Sequence, residues 1–358
     1  YPPLSLTILY LASQFSKFLD IELFGGFKIL ITLFLFISSF CFLFFTRDIY
    51  LTLFFHLSLI LNSIILGYVD IFFVPPLVTS IFLLKRNKLF LSSVFFSITI
   101  FIKYQPLIII PFITIYLLKV IRKIDPNKTL LTYFKIFSPP FIIFALIIIF
   151  FGLHPLVQSI KVAGNISTSS TGQLLSGNAL NLNWTITHLF RFFNPDYYGP
   201  LIDGRSTYII DPSNIVYPIS RLLFILVYCF TCIIYFKRDD SFENFILFSI
   251  LGFWVYFNLN IAVHENHLLV ANVLAIMLYY INKAHVKMVL SIILICNINM
   301  FIFYGISGSS LPFNRAILNL FDTAFFMSIS NSLIFILFWF KYVFIENDNH
   351  TAFSKKNY

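Results

Sequence analysis

Charge is what this sequence has least of. Asp, Glu, Lys and Arg make up 11% of 358 residues, against roughly 25% in soluble domains. With 59% hydrophobic residues and 48 phenylalanines, that scarcity excludes an ordinary water-soluble globule. Long apolar runs broken by short polar links describe a polytopic membrane protein instead. The Phe, Ile, Lys and Asn bias also matches an AT-rich coding sequence, so part of the Phe count reflects codons. Cysteine is scarce too: Cys41, Cys229, Cys232 and Cys296 all fall inside apolar runs. Cys229 and Cys232 have CxxC spacing but no His or Cys partners nearby in sequence, so small apolar packing is their reading. No signal peptide is visible, and the chain opens at Tyr1 on the tract YPPL. A formal charge of +9 would point to nucleic acid in a soluble protein. Here it reflects the positive-inside bias of cytoplasmic links, and no nucleic-acid partner is expected.

The apolar runs place spans at 27–46, 49–67, 71–85, 88–103, 106–121, 134–153, 217–236, 244–261, 267–282, 286–305 and 319–342. The fold class is therefore all-α, a transmembrane bundle of about 11 spans, several shorter than the ~20 residues of a straight crossing. Pro75 and Pro76 predict a kinked or broken helix in 71–85. Orientation follows from Lys and Arg. The links at Arg47, Lys85–Lys88, Lys119–Lys135, Lys237–Arg238, Lys283–Lys287 and the tail after Lys341 collect 16 of the 24 basic residues, and are assigned to the cytoplasm. Residues 1–28, the turns at 68–70, 103–105 and 264–267, a large loop over 154–217 and the segment 305–318 then face outward. Within 1–28, residues 3–19 carry Ser5, Thr7, Ser13, Gln14 and Ser16, the pattern of an in-plane interfacial helix. One membrane-embedded domain over 1–358 is expected.

Ionisable residues at membrane depth are costly and mark candidate sites. Asp70 lies in GYVDIFFVPP, at the outer end of a span. It reads either as a helix-end carboxylate or as a ligand or base in an outer pocket. Lys103 and Gln105 lie in IKYQPL, with Pro106 opening the next helix. A lysine there suits a phosphate contact or simply snorkels. His264, Glu265 and His267 lie in VHENH, the two histidines three apart and on one helix face. The spacing is HExH and not HExxH, which removes the zinc-protease reading, and no further ligands suggest a metal. The turn reads as an anion or donor site, or as polar helix-end residues. The large loop mixes amides and aromatics, among them Asn178, Asn181, Asn183, Trp184, His188, Tyr197 and Tyr198, the side chains that bind sugar hydroxyls and ring faces. Sequons stand at Asn165 and Asn183.

YPPL at 1–4, the Asp70 turn, KYQPL, SGNALNLNW and VHENHLL, in that order and on one side, resemble the GT-C superfamily of polytopic glycosyltransferases. The nearest pattern is that of the dolichyl-phosphate-glucose glucosyltransferases of N-glycan assembly and their prokaryotic relatives. The resemblance covers nearly the whole chain. It implies hexose transfer from a polyprenyl-phosphate donor to an acceptor hydroxyl on a glycan, lipid-linked sugar or protein, at the extracytoplasmic face and with no cofactor. It implies that Tyr1, Pro2 and Pro3 shape the first outer loop, that Lys103 and Gln105 line the donor cavity, and that His264, Glu265 and His267 lie near its phosphate. Asn178, Asn181 and Trp184 would then serve the acceptor. Asn266 stands where the family carries Lys. The family's catalytic aspartate precedes YPPL, so the base is expected upstream of Tyr1. Of the outer carboxylates Asp20, Glu22, Asp70, Asp196, Asp203, Asp211, Glu265 and Asp322, Asp70 is the best placed within the chain. The membrane would be the plasma membrane of a prokaryote or the endoplasmic reticulum of a eukaryote. Two other classes share features. A transporter or flippase fits the span count and the broken helix, but no internal repeat is visible and such a large outer loop is unneeded. A surface-polysaccharide polymerase or ligase shares the donor, but its arginine-rich outer loop is reduced here to Arg191 and Arg205.

Overall fold

The computed structural model describes residues 2–123, 126–164, 174–207, 209, 216–308, 313–318 and 320–345. Tyr1, the Asn165 sequon, Asp211 and the basic tail beyond 345 lie outside the described residues. Contacts divide the chain into two compact units, Tyr1–Ser169 with Tyr304–Ser309, and Ser170–Phe303 with Ser310–Tyr358.

The first unit contains α1 (Pro3–Leu19), α2 (Leu23–Thr46), α3 (Ile49–Ile60), α4 (Val74–Lys85), α5 (Leu89–Ile102), α6 (Ile110–Ile121), α7 (Pro126–Phe151) and α8 (Leu153–Gly164). One link, between α2 and α3, is closed by caps on both sides. Arg47 stops α2 in the left-handed region at φ 55°, and the Asp48 carboxylate accepts from Leu51 N at 3.0 Å to start α3. A π-helical turn, Leu61–Ile65, follows α3, and the Lys28 ammonium donates to the Ile64 and Ile65 carbonyls it leaves exposed. Pro75 and Pro76 do not break a helix. They sit in the first turn of α4, after a 3₁₀ turn at Val69–Phe73, where a missing N–H costs nothing. The expected kink in 71–85 is thus a change of helix type.

Serines hold the unit's apolar helices together. Ser80 on α4 and Ser92 on α5 donate to each other's carbonyls, at 2.8 and 2.9 Å. Prolines do stand inside a helix in this unit, Pro139 and Pro140 in α7. Pro140 has no N–H for the Ile136 carbonyl four residues back. Ser93 of α5 supplies the missing donor, with Oγ 2.5 Å from Ile136 O.

The helix expected over 3–19 forms as α1, and small and large residues divide between its faces. Ser5, Ala12 and Ser16 are buried, whereas Leu6, Tyr10, Leu11 and Phe18 are exposed. Small residues on the inner face allow close approach. A Cβ added at Gly26 of α2 would lie 2.8 Å from Ser16 Cβ. The large apolar side chains are left for lipid.

The second unit contains α9 (Leu182–Phe193), α10 (Pro195–Tyr198), α11 (Val216–Lys237), α12 (Phe242–Leu259), α13 (Leu269–Ile281), α14 (Val286–Tyr304, its last residue falling in the first unit) and α15 (Thr323–Phe340). A short hairpin, β1 (Ala316–Ile317) with β2 (Phe321–Asp322), provides the only strands among the described residues. The all-α expectation holds. α12 and α13 form the buried centre, and nearly every residue of each is enclosed. The expected loop 154–217 is not loop throughout, since it carries most of α8 and all of α9 and α10. Polar composition hid a packed helix in α9, where Asn183, Trp184, Thr185, Thr187 and His188 are buried.

Six helices are long and apolar enough to cross a membrane: Leu23–Thr46, Thr129–Phe151, Val216–Lys237, Phe242–Leu259, Lys283–Tyr304 and Thr323–Ile345. Shorter apolar helices occupy Ile49–Ile65, Leu89–Ile102, Gln105–Ile121 and Glu265–Ile281. Every expected span is mostly helical over its described residues, but crossing length is reached by six among them, and the count of about 11 stays an expectation.

Candidate functional site

In the first unit the chemistry gathers where two helices start late. Asp70 enters on the 3₁₀ turn before α4, and Lys103 is the extended residue that ends α5. Lys103 Nζ lies 2.6 Å from Asp70 Oδ1. The Asp70 side chain is fully buried and that of Lys103 is 16% exposed. A carboxylate cannot stay ionised there without a cation, because burial removes its hydration. Lys103 is therefore the cation that the Asp70 carboxyl meets directly. Asp70 Oδ2 is buried without a hydrogen-bond partner, and so are both ends of the Gln105 amide. Unsatisfied groups of this kind are uncommon inside proteins and call for an explanation such as a ligand. Gln105 opens the 3₁₀ turn Gln105–Ile109, with Pro106 in its first turn as the sequence predicted. Between Lys103 and Gln105, Tyr104 Oη lies 2.7 Å from Ser159 Oγ of α8. Burial raises the Tyr104 pKa, and the Ser159 hydrogen bond opposes that. The phenol is therefore a neutral hydrogen-bonding group.

In the second unit VHENH and SGNALNLNW, far apart in sequence, lie side by side. Gly177 N donates to Val263 O at 2.8 Å, Ala262 N donates to Leu174 O at 3.1 Å, and Gly177 and Asn178 each bridge to His264. Gly177 is required by contact: a Cβ there would lie 2.5 Å from His264 Nδ1. The His264 side chain is 38% exposed, and Nδ1 is 3.9 Å from the buried Glu265 carboxylate. His267 Nδ1 lies 3.0 Å from Tyr256 Oη, and the two imidazoles meet edge to face at 5.4 Å. Asn266 is buried with its Oδ1 unpartnered. The turn thus presents one accessible imidazole backed by a carboxylate.

In the amide-rich segment, expected to serve the acceptor or the loop, the contacts are those of the fold. Asn181 and Trp184 are fully buried. Asn181 caps α9 through Trp184 N at 2.9 Å and donates to Phe257 O at 2.8 Å, while Asn183 donates to Asn260 O at 2.8 Å. These amides satisfy the carbonyls left open at the end of α12. A sugar does not reach them. Trp184 packs against Phe303 with ring centroids 5.0 Å apart. Asn178 is half-buried at φ 57° and its carbonyl accepts from Asn299 at 3.2 Å, so it too shapes the turn. Asp322 is likewise consumed. It caps α15 through Phe325 N and accepts from Ser206 N and Asn314 Nδ2. His188 beside it is pushed below the usual histidine pKa by burial, with Asp322 pulling the other way.

Three residues that organise the second unit were missed: Asn258, Asn299 and Asn331. Asn331 accepts from Trp254 Nε1 at 3.1 Å and donates to Asn258 Oδ1 at 3.2 Å, and Asn299 donates to Glu265 O at 3.2 Å. The signal was present: each is an amide in the middle of an apolar run, where an unsatisfied polar group is expensive. Among the described residues no group of three or more His, Cys, Asp or Glu could hold a metal ion.

Six apolar helices of crossing length among the described residues mark the chain as a multi-pass membrane protein. No family model, curated protein or solved structure matches the chain.

Proposed function

We propose that this protein is a membrane hexosyltransferase that uses a polyprenyl-phosphate sugar as donor. The observation that carries the reading is the buried Lys103–Asp70 pair, with an unpartnered carboxylate oxygen and an unpartnered Gln105 amide. The order of tracts shared with the GT-C superfamily supports it. In the reaction the acceptor hydroxyl oxygen bonds to the anomeric carbon and the bond from that carbon to the phosphate oxygen breaks. The acceptor proton passes to a carboxylate base. The negative charge gathering on the departing phosphate needs a cation in a dry site. Lys103 serves that purpose, and Asp70 keeps it charged and aimed. Asp70 is then a positioning residue. Gln105 donates to a phosphate or sugar oxygen. The His264–His267 turn is an imidazole-bearing anion or hydroxyl site in its own right.

The test is transfer from a fluorescent polyprenyl-phosphate hexose by the natural protein in lipid nanodiscs. Lys103→Ala lowers kcat/KM at least roughly tenfold, as removal of a buried charged contact does. Lys161→Ala, on the exposed side of α8, leaves it unchanged. No transfer by the wild type, or equal rates in Lys103→Ala, overturns the proposal. A buried ion pair also suits an ion-coupled transporter. Uptake of a solute into liposomes, lost in Lys103→Ala and with no glycoside formed, would establish that second reading.

A further inference from the structure

The first unit also holds a cavity of about 540 Å³ between α4, α5, α6 and α7, within the size range of small-molecule sites. It runs along α5 from Leu89 to Phe101, about 18 Å at 1.5 Å per residue. That is close to the ~15 Å hydrocarbon depth of one leaflet. Its wall is apolar apart from hydroxyls, and the serine hydroxyls are already engaged. Ser80, Ser92, Ser93 and Ser97 all donate to backbone carbonyls. Pro140 of α7 also lines it. The wall therefore offers hydrocarbon contact and almost no hydrogen bonding, which suits a lipid chain and not water. Leu118, Phe137, Phe141 and Phe144 line the cavity yet stay exposed on the flank of α6 and α7, so its mouth opens sideways.

One end of the cavity is strongly basic. Lys85, Lys88, Lys119, Arg122 and Lys135 each adjoin in sequence a residue that lines it: Leu84, Leu89, Leu118, Ile121 and Ile136. Between residues 71 and 164 the sequence holds a single acid, Asp125. By the distribution of Lys and Arg this end is cytoplasmic. Basic pockets between membrane helices on that side bind anionic headgroups. We infer that this cavity is a binding site for an anionic glycerophospholipid of the inner leaflet, with one acyl chain between α5 and α7 and the headgroup phosphate on the Lys88–Lys119 rim. The inference does not rest on the transferase reading.

The test is native mass spectrometry of the whole protein released from nanodiscs containing equal phosphatidylglycerol and phosphatidylcholine with identical acyl chains. Phosphatidylglycerol is retained preferentially by the wild type. Lys88→Gln with Lys119→Gln lowers its occupancy roughly tenfold, to the phosphatidylcholine level. Thr114→Trp, which fills the mouth from α6, lowers both lipids. Circular dichroism confirms that each variant is folded, and the exposed Lys88 keeps the charge variant safe from core disruption. Equal retention of the two lipids by the wild type overturns the inference, as does a charge variant that still prefers phosphatidylglycerol. Stronger retention of added polyprenyl phosphate than of phosphatidylglycerol overturns the choice of lipid.

Discussion

Asp70 sets the terms for every residue around it. Its side chain has no exposure, and Lys103 Nζ stands 2.6 Å away. Removing one partner leaves an uncompensated charge, whereas removing both leaves an apolar contact. Lys103→Ala is therefore expected to destabilise the protein by about 3–5 kcal/mol. The double variant Asp70→Leu with Lys103→Met should recover most of that stability and none of the proposed transfer. Chemical denaturation in detergent, followed by tryptophan fluorescence, measures the first part. A double variant as unstable as the single one would show that the pair is not the main interaction of Lys103. The same reasoning separates the second turn from its neighbours. His264 is partly exposed and backed by Glu265, while Asn181 and Asn183 a short distance away in that unit are spent on the end of α12. Chemically similar side chains thus divide into those available to a ligand and those consumed by the fold.

At the scale of elements, backbone groups left open by one helix are closed by another. Pro140 deprives Ile136 O of its donor, and Ser93 provides one across the α5–α7 contact. Ser93→Ala should cost about 1–3 kcal/mol, because it leaves a buried carbonyl unmet. In the Pro140→Ala background the helix can supply its own N–H, and the same serine change should cost much less. The two sites should couple by about 0.5–3 kcal/mol in a double-mutant cycle, read from thermal unfolding in one detergent. Strict additivity would mean that the serine hydroxyl does not stand in for the missing N–H. The end of α12 follows the same logic with amides in place of a hydroxyl. The reciprocal Ser80–Ser92 bonds do so between α4 and α5.

For the whole molecule the sequence predicts sidedness, and this can be checked within each unit. In a cysteine-free background, single cysteines at the exposed positions Asn87 and His154 test the first unit, and at Ala284 and Asp203 the second. An impermeant maleimide added outside intact cells should label 154 and 203 and spare 87 and 284. Labelling at 87 or 284 would reverse the orientation and move the Lys103 turn to the cytoplasmic face. The sequence by itself determined the membrane class and the helical state of every expected span, because apolar run length and Lys/Arg placement are local, one-dimensional signals. It also located the Asp70, Lys103 and His264 turns, because an ionisable residue between apolar runs stands out without any knowledge of its partners. It could not tell which polar residues were spent. Asn181, Trp184 and Asp322 read as wet-loop or outer-face residues until the chain closed over them, and Asn258, Asn299 and Asn331 were lost inside apolar runs. Pairing across the fold decides whether a polar group is satisfied. The Asp70–Lys103 contact spans 33 positions of sequence, and the Gly177–His264 contact spans 87. Only the tertiary structure brings such residues within reach of one another, so only it separates groups held by the fold from groups left for a ligand.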